Sequence, residues 1–322
     1  MPEAKKKNII SQEKSLDNTS QPPAVDFGTL IMSLVESIAE EKEEIIKNKI
    51  SYLVKSELLK FDRVFNDYHV LIQYDENSMA RVDADNIYKA LKSFPSEEKK
   101  DILLILYSFG GDIASAYLIS KLCREFAKRK VIVAIPRLAK SAATLICCGA
   151  DEIHMGSLSE LGPLDPQINR LPALGLKNTI RQIAETVTVY PESSQLFADY
   201  IAKTIPPIDL GYFDRIVESA SQYAQRLLQK RNKKQDNSDI QRIANRLVYD
   251  YSDHGFVIDK NEALEIFGED IVKIDTPEYY VADAIYSLLS FISQLCSPKY
   301  KFYFIGNCEL SDSVGLMVNK QK

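Results

Sequence analysis

Short runs of apolar, β-branched residues alternate with helix-like stretches through the centre of the chain. Because each run is continuously apolar, it predicts a strand that is buried on both faces of a sheet. The stretches between the runs predict helices at 83–92, 114–130 and 142–148. Strands and helices in alternation predict right-handed βαβ units and a largely parallel sheet. The runs are VLIQY at 70–74, ILLILY at 102–107, VIVAI at 131–135 and the weaker EIHM at 152–155.

Helical periodicity marks both sides of this centre. Apolar residues recur at helical spacing over 27–62, around a charged run at 40–44, which predicts a helical N-terminal arm. The sustained heptads of a coiled coil are absent. Further helices are expected over 197–249, at 260–267 and around 280–295, with a strand near 271–274 and a C-terminal extension over 296–322 that can add a strand.

The ends of the chain set the expected domain boundaries. Residues 1–26 are polar and contain two adjacent prolines, which predicts a disordered tail without a secretory leader. The core domain is expected over 63–295. Since no run reaches about 18 apolar residues, we expect no membrane-spanning helix.

Composition narrows the function classes. The 322 residues carry a net charge of −5, which does not indicate a nucleic-acid binder. Five cysteines without a CxxC pair favour reduced thiols in a cytoplasmic protein over a disulfide scaffold or a zinc ribbon. With three histidines, we expect no histidine-rich metal site. The chain has no GxGxxG motif and no PLP-lysine context, so we expect no cofactor. The basic residues near 228–246 predict a solvated helix end or exposed loop: Lys230, Arg231, Lys233 and Lys234.

A glycine pair follows the second predicted strand, in YSFGGDIASA at 107–116. Adjacent glycines allow positive φ and bring backbone N–H groups close to a ligand. The N-terminus of the following helix adds partial positive charge, so the segment can form a main-chain oxyanion hole. A tight structural turn is the alternative.

Ser141 lies where the third predicted strand passes through a short loop into a helix. The structural interpretation is a helix N-cap, which contributes about 1 kcal/mol. The functional interpretation is a nucleophile exposed at a strand-to-helix turn. Ala142 and Ala143 would let a substrate backbone approach. Considered alone, the segment favours the cap.

Asp165 lies in the proline- and glycine-rich loop GSLSELGPLDPQI at 156–168. Aspartates in loops commonly form Asx turns, which is the structural alternative to a role in the site.

These segments, in this order, resemble a known family. Residues 100–170 resemble the Clp-protease-like, crotonase-type serine peptidases, and most closely the serine dehydrogenase proteinase family, which is related to signal peptide peptidase A. The resemblance implies an α/β fold with a Clp/crotonase-like ββα superhelix core, beside the helical N-terminal arm and C-terminal helices. A looser resemblance runs from about 68 to 289. The resemblance over 100–170 is carried by SFGGDIASA, RLAKSAATL, GADEIHMG and LGPLDPQI, and the looser one includes SDHGFVIDKNEALEIFG.

The resemblance implies roles for individual residues. Ser141 matches the nucleophile, and Gly110 and Gly111 match the pair whose amides help to form the oxyanion hole. The amide of Ala142 would be the other donor. Asp165 stands 24 residues after Ser141, where the Clp proteolytic subunit has its histidine, so the familiar Ser-His order is broken.

Three candidates for the general base remain. Asp165 could orient a base or act as one, although aspartate is a weak base at neutral pH. Lys177 lies near the region where signal-peptide-peptidase relatives place a dyad lysine, which must be desolvated to act. His254 has suitable chemistry, and Asp165 could orient it. We rank His254 slightly above Lys177, and interpret His154 as structural.

The resemblance therefore implies a serine peptidase that hydrolyses cytosolic peptides or proteins, without a cofactor, as a homo-oligomer. One alternative is a crotonase-type acyl-CoA enzyme, which also holds an oxyanion with glycine amides. The other is a non-catalytic oligomeric scaffold of the same fold. The serine peptidase and the non-catalytic scaffold differ in whether a base reaches Ser141.

Overall fold

The structure is a computed structural model, and its strands form a mixed sheet with helices on both faces. It describes residues 26–165, 167–168, 171–204, 207–231 and 236–319, with the side chains of 65, 167–168, 171–174, 176–177, 204 and 207–214 left aside. The strands within these ranges are β1 (Tyr68–Asp75), β2 (Asp101–Ser108), β3 (Val131–Ile135), β4 (Leu138–Ala139), β5 (Glu152–Met155), β6 (Glu160–Leu161), β7 (Gln167–Ile168), β8 (Leu171–Pro172), β9 (Val272–Ile274), β10 (Tyr300–Gly306) and β11 (Val314–Val318).

Helices fill the connections between these strands, as the alternating pattern predicts. They are α1 (Phe27–Ala39), α2 (Glu43–Leu58), α3 (Asp62–Asp67), α4 (Arg81–Ser93), α5 (Ile113–Phe126), α6 (Ala142–Cys148), α7 (Ala173–Val189), α8 (Ser194–Thr204), α9 (Pro207–Leu228), α10 (Asn237–Tyr249), α11 (Lys260–Phe267) and α12 (Pro277–Cys296).

The main sheet has the order β11-β10-β1-β2-β3-β5-β9, and β7 and β8 pair antiparallel in a separate two-stranded sheet. Strands β1, β2, β3, β5 and β9 run parallel, and β10 and β11 add an antiparallel edge. The expected parallel α/β core is therefore confirmed. After β3, the chain forms the short strand β4, which pairs in parallel with the end of β2 and with β6. The pair of β4 and β6 therefore places the loops that follow these two strands next to the carboxyl end of β2.

Two apolar layers cover the sheet. Helices α4, α5, α6, α9, α10 and α11 pack on one face, and α1, α2 and α12 pack on the other. Leu34 and Ile50 from the N-terminal helices are fully buried with Ile285 and Leu289 of α12. The N-terminal helices thus share a core with the last helix, because the apolar stripe of each faces the same side of the sheet. The division of the chain into domains stays a prediction.

The predicted disordered tail at 1–26 lies outside the described residues, except for Asp26. The Asp26 carboxylate accepts a hydrogen bond from the amide of Thr29 at 3.3 Å and so caps α1. In the described part of the chain, no helix is both long and apolar enough to cross a bilayer.

The prediction of a solvated basic segment is wrong for Arg231, which is 4% exposed. Its Nε donates to the carbonyl oxygen of Cys148 and its Nη2 to that of Cys147, both at 2.9 Å. The guanidinium also lies over the ring of Phe267. The end of α9 places this cation against the C-terminal carbonyls of α6, where positive charge is favoured. Lys230 is exposed, and Lys233 and Lys234 lie outside the described residues.

Candidate active site

Four loops meet beyond the carboxyl ends of β1, β2, β4 and β6, and they line a cleft of about 600 Å³. In parallel α/β sheets this edge is where ligands ordinarily bind. The loop after β2 contributes Gly110 and Gly111, and the turn after β4 contributes Ser141 and Ala142. The segment between α10 and α11 contributes His254.

The glycine pair is required by the backbone at this point. Gly110 and Gly111 have φ values of 95° and 147°, which L side chains rarely adopt. A Cβ on Gly110 would lie 2.6 Å from the carbonyl oxygen of Lys140 and 2.9 Å from Cβ of Ser141. A Cβ on Gly111 would lie 2.3 Å from the amide of Met79. Gly110 therefore lets the β2 loop pass directly beside Ser141, and Gly111 lets it pass directly beside Met79.

The amides around this turn are not equivalent. The amide of Gly110 donates to Oγ of Ser108 at 3.1 Å, so it is already engaged. Among the described residues, the amides of Gly111 and Ala142 have no acceptor. Ser108 was missed by the sequence analysis, because its position as the last residue of a buried strand gives no signal of this contact.

Ser141 occupies the N-cap position of α6 without acting as a cap. Its hydroxyl accepts no capping hydrogen bond from the described residues, in contrast to the structural interpretation of the sequence. Its φ of 49° is unusual for a residue other than glycine and costs about 1–3 kcal/mol.

The strained turn at Ser141 is held from both sides by Thr144, which is fully buried. The Thr144 hydroxyl lies 2.7 Å from the carbonyl oxygen of Ala139 and 2.8 Å from that of Gly162, and it accepts the Gly162 amide at 3.1 Å. These contacts join α6 to β4 and to the loop after β6. The serine hydroxyl is thereby left available at the cleft instead of being used locally.

Backbone hydrogen bonds bring the Asp165 and His254 segments together. Leu161 and Ile258 exchange backbone hydrogen bonds at 2.9 and 3.1 Å, which fixes the His254 segment against β6. The Leu164 amide donates to the carbonyl oxygen of Leu247 at 2.8 Å, which fixes the Asp165 loop against α10. The sequence alone offers no signal for these long-range contacts.

As a result, Nδ1 of His254 lies 3.7 Å from Oδ2 of Asp165. This distance exceeds that of a hydrogen bond. Oδ1 of Asp165 and Nδ1 of His254 are buried polar atoms without a hydrogen-bond partner in the described structure. The Asp165 carboxylate thus faces an imidazole. The His254 side chain is 28% exposed and lies at the cleft, whereas that of Asp165 is 6% exposed.

Lys177 has its backbone within α7, but its side chain lies outside the described residues. The remaining candidates are brought together: Gly110, Gly111, Ser141, Ala142 and His254 line one cleft, with Asp165 beside His254.

Other nucleophiles and ligands are poorly placed. The cysteines are buried free thiols, and burial raises the pKa of Cys148, which lies at the end of α6, to about 12. That thiol is therefore protonated near neutral pH. Within the described ranges, no group of three or more histidine, cysteine, aspartate or glutamate side chains could hold a metal ion.

Comparison with protein families gives a match over most of the chain. Residues 77–308 match the family model described as ClpP-like SDH-type serine proteinase. The matched range contains Ser141 and each of the other cleft residues discussed above.

Two uncharacterised proteins of Methanocaldococcus jannaschii are similar to parts of the chain. MJ0137 is 36% identical over 101 residues, which is 31% of this chain and 34% of that protein. MJ1495 is 30% identical over 127 residues, which is 39% of this chain and 41% of that protein. The chain thus spans between a third and a little over two fifths of the length of these relatives.

Among solved structures, one similar chain is a mutant of the 1510-N membrane-bound stomatin-specific protease. It has 15% sequence identity and a TM-score of 0.41, over 66% of this chain and 83% of that chain. Another is the enoyl-CoA hydratase EchA8_6 of Mycobacterium marinum, at 15% identity and a TM-score of 0.30, over 69% of this chain and 89% of that chain. Both TM-scores are below 0.5, so neither likeness carries weight on its own.

Proposed function

Because the chain belongs to the family of ClpP-like SDH-type serine proteinases, we propose that it is a serine peptidase that cleaves peptide bonds through an acyl-enzyme on Ser141. The observation that carries the proposal is the position of His254, beside Asp165 and at the same cleft as Ser141. A nucleophile, a base and a group that orients the base are the parts that acyl transfer needs.

In the proposed reaction, Oγ of Ser141 attacks the carbonyl carbon of the scissile bond, and its proton passes to Nε2 of His254. Asp165 faces Nδ1 of the imidazole, where it holds the ring and stabilises the imidazolium that forms. The protonated His254 then donates to the leaving amine as the peptide bond breaks. A water molecule, deprotonated by the same imidazole, hydrolyses the acyl-enzyme and regenerates the Ser141 hydroxyl.

The oxyanion of the tetrahedral intermediate is assigned to the amides of Gly111 and Ala142. Both donors are unused by the described residues, whereas the Gly110 amide is held by Ser108. Preorganised donors of this kind contribute about 2.7–4 kcal/mol each to the transition state. Gly110 then serves mainly to admit the β2 loop beside Ser141.

His254 is the base that the geometry favours. Asp165 has a side chain only 6% exposed and faces the histidine, which suits orientation more than proton transfer from the nucleophile. The 3.7 Å separation of the pair is typical of unliganded sites, where catalytic hydrogen bonds tighten once substrate is bound. Lys177 remains the alternative base.

A fluorophosphonate probe tests the proposal directly, because it reacts only with an activated serine. We expect labelling of the wild-type protein, loss of labelling in Ser141→Ala, and a severe loss in His254→Ala but not in Lys177→Met. Loss in Lys177→Met with retention in His254→Ala would reverse the assignment of the base. A folded wild-type protein that neither labels nor cleaves peptides would contradict the proposal and favour the scaffold alternative. Turnover of a CoA thioester without labelling would favour the acyl-CoA alternative.

We further propose cytosolic peptides or proteins as substrates and a homo-oligomeric assembly. The free thiols are compatible with a reducing compartment. Large apolar side chains around α7 and α8 are more than half exposed, which is typical of contact surfaces: Val189, Tyr190, Leu196 and Tyr200. Sedimentation analysis that gives a monomer at micromolar concentration would contradict the assembly.

A further inference from the structure

Lys140, the residue before Ser141, contacts the segments that carry the other site residues. Its side chain is 12% exposed, and its Nζ lies 3.1 Å from Oε2 of Glu160. The same ammonium donates to the carbonyl oxygen of Leu161 at 3.2 Å and to that of Phe256 at 3.1 Å. Phe256 stands two residues after His254. One cation therefore joins the serine turn, β6 and the segment that carries His254.

The main chain of Lys140 is also held by a hydrogen bond. Its amide donates to the carbonyl oxygen of Ser108 at 3.0 Å, at the end of β2. Gly162 makes room for the aliphatic stem, because a Cβ at Gly162 would lie 2.7 Å from Cδ of Lys140. Lys140 is thus anchored to the strand that precedes the glycine pair before its ammonium reaches the histidine segment.

The His254 loop, defined as residues 250–259, has few other anchors. Within the loop, the Phe256 amide donates to the carbonyl oxygen of Asp253, and the Gly255 amide donates to the Asp253 carboxylate. At the C-terminal end of the loop, Ile258 pairs with Leu161 through backbone hydrogen bonds. At the N-terminal end, the Tyr251 hydroxyl donates a hydrogen bond to the Glu262 carboxylate. Between these two ends, one hydrogen bond from a described residue outside the loop reaches it. Lys140 provides this bond, from its ammonium to the carbonyl oxygen of Phe256.

We propose that Lys140 is a positioning residue, whose ammonium sets the His254 loop, and with it the imidazole, at the distance from Ser141 that proton transfer requires. This inference rests on the proposed function, in which His254 is the base. The ammonium is paired with Glu160 and hydrogen-bonded to two carbonyl oxygens, so it acts through the loop and does not itself exchange a proton with Ser141. Small displacements matter in such an arrangement, since a shift of about 1 Å costs about 10²-fold in rate.

The test compares Lys140→Met with Lys140→Arg, using the second-order rate of fluorophosphonate labelling and the kcat and KM for a peptide. We expect Lys140→Met to lower labelling and kcat by about 10²-fold with KM nearly unchanged. Lys140→Arg keeps a cation that can reach the carbonyl oxygens, so it should recover most of the loss. Lys49→Met is the matched control, because Lys49 is also a half-buried lysine whose ammonium joins two segments, through Ser33 and Ser37.

A second variant perturbs the lysine stem with the lysine in place, and a second measurement separates positioning from general damage. Gly162→Ala keeps the lysine but places a methyl group against its stem, so it should also lower labelling. Hydrogen exchange should show faster exchange of amides in the His254 loop of Lys140→Met than in wild type or Lys49→Met. This measurement does not depend on activity, so a wild-type protein that fails to label would contradict the proposed function while the exchange still tests the role of Lys140. Wild-type labelling and exchange rates in both Lys140→Met and Gly162→Ala would overturn the inference.

Discussion

Two histidines in this chain stand beside carboxylates, and they differ in how fully their partners satisfy them. His154, on β5, has a side chain 4% exposed and lies 2.6 Å from Oγ1 of Thr276, 3.2 Å from Glu152 and 3.4 Å from Glu278. His254 is 28% exposed, and its nearest carboxylate, Asp165, lies 3.7 Å away.

The His154 cluster is closed. Burial alone would lower the pKa of His154, but hydrogen bonds to Glu152 and Glu278 outweigh burial and raise it. In return, the hydrogen bonds from His154 lower the pKa of each glutamate to about 2. Both ring nitrogens are used, which leaves none for a substrate. The His254 pair instead borders a cleft and keeps buried polar atoms without partners. Pairing with an acid therefore does not identify a catalytic histidine, whereas unused hydrogen-bonding capacity at a cleft points to one.

The largest expected effect separates the two histidines by activity. His254→Ala should lower fluorophosphonate labelling and peptide hydrolysis by about 10²–10⁴-fold, because it removes the general base. His154→Asn should leave the labelling rate of the folded protein unchanged, since His154 is fully committed within its own cluster. Equal losses of activity in both variants would mean that His254 and His154 do not differ in their contribution to catalysis.

A smaller effect tests whether the Asp165 carboxylate matters to His254. Asp165→Asn keeps the size of the side chain but removes its charge, so the imidazole loses its orienting partner. We expect kcat for a peptide to fall by about 10²-fold, with KM little changed. The reason is that the His254 imidazole would be slightly displaced from Ser141, which slows proton transfer. A control in the closed cluster is Glu278→Gln, which should leave kcat at the wild-type value. Full activity of Asp165→Asn would show that His254 works alone or that another base is used.

The comparison also shows what the sequence could predict. Continuous apolar runs identified the sheet, because strands buried on both faces leave that pattern. Ser141 and the glycine pair lie at strand ends, but the family resemblance assigned their roles, because the Ser141 segment considered alone favours a helix cap. The sequence left His254, Lys177 and Asp165 as candidate bases, because the position of His254 depends on backbone contacts such as Leu161 with Ile258. The burial of Arg231 was missed for the same reason, since its partners are carbonyl oxygens 83 and 84 residues away.

The closed cluster should reveal itself through stability. His154→Asn leaves the Glu152 and Glu278 carboxylates without their buried partner. Hydrogen bonds to charged groups contribute about 1.5–3 kcal/mol each, so we expect the loss of the two to lower the free energy of unfolding by about 3–6 kcal/mol. His254→Ala should cost far less, because its side chain is partly exposed and has no hydrogen bond at Nδ1 to lose. Denaturant titration of both variants measures the difference. A larger loss in His254→Ala would contradict this account.

The smallest effect is the pH dependence of that stability difference, and its sign follows from the pKa shifts. The pKa of His154 is raised above its ordinary 6.5, so its contribution is complete below about pH 6.5 and is lost as the pH rises through the raised value. The pKa values of Glu152 and Glu278 are lowered from 4.5 to about 2, so their contribution is complete above about pH 4.5 and is lost as the pH falls towards 2. The cluster should therefore stabilise the fold most between these limits.

Thermal unfolding of wild type and His154→Asn across this pH range measures the effect. The difference in Tm should be largest between about pH 4.5 and 6.5 and should shrink by a few degrees on either side, because about 1 kcal/mol shifts Tm by about 2–4 °C in domains of 150–250 residues. A difference for His154→Asn that grows steadily above pH 7 would mean that the neutral imidazole stabilises the cluster, and the contrast between a charged, closed pair and an open one would fail.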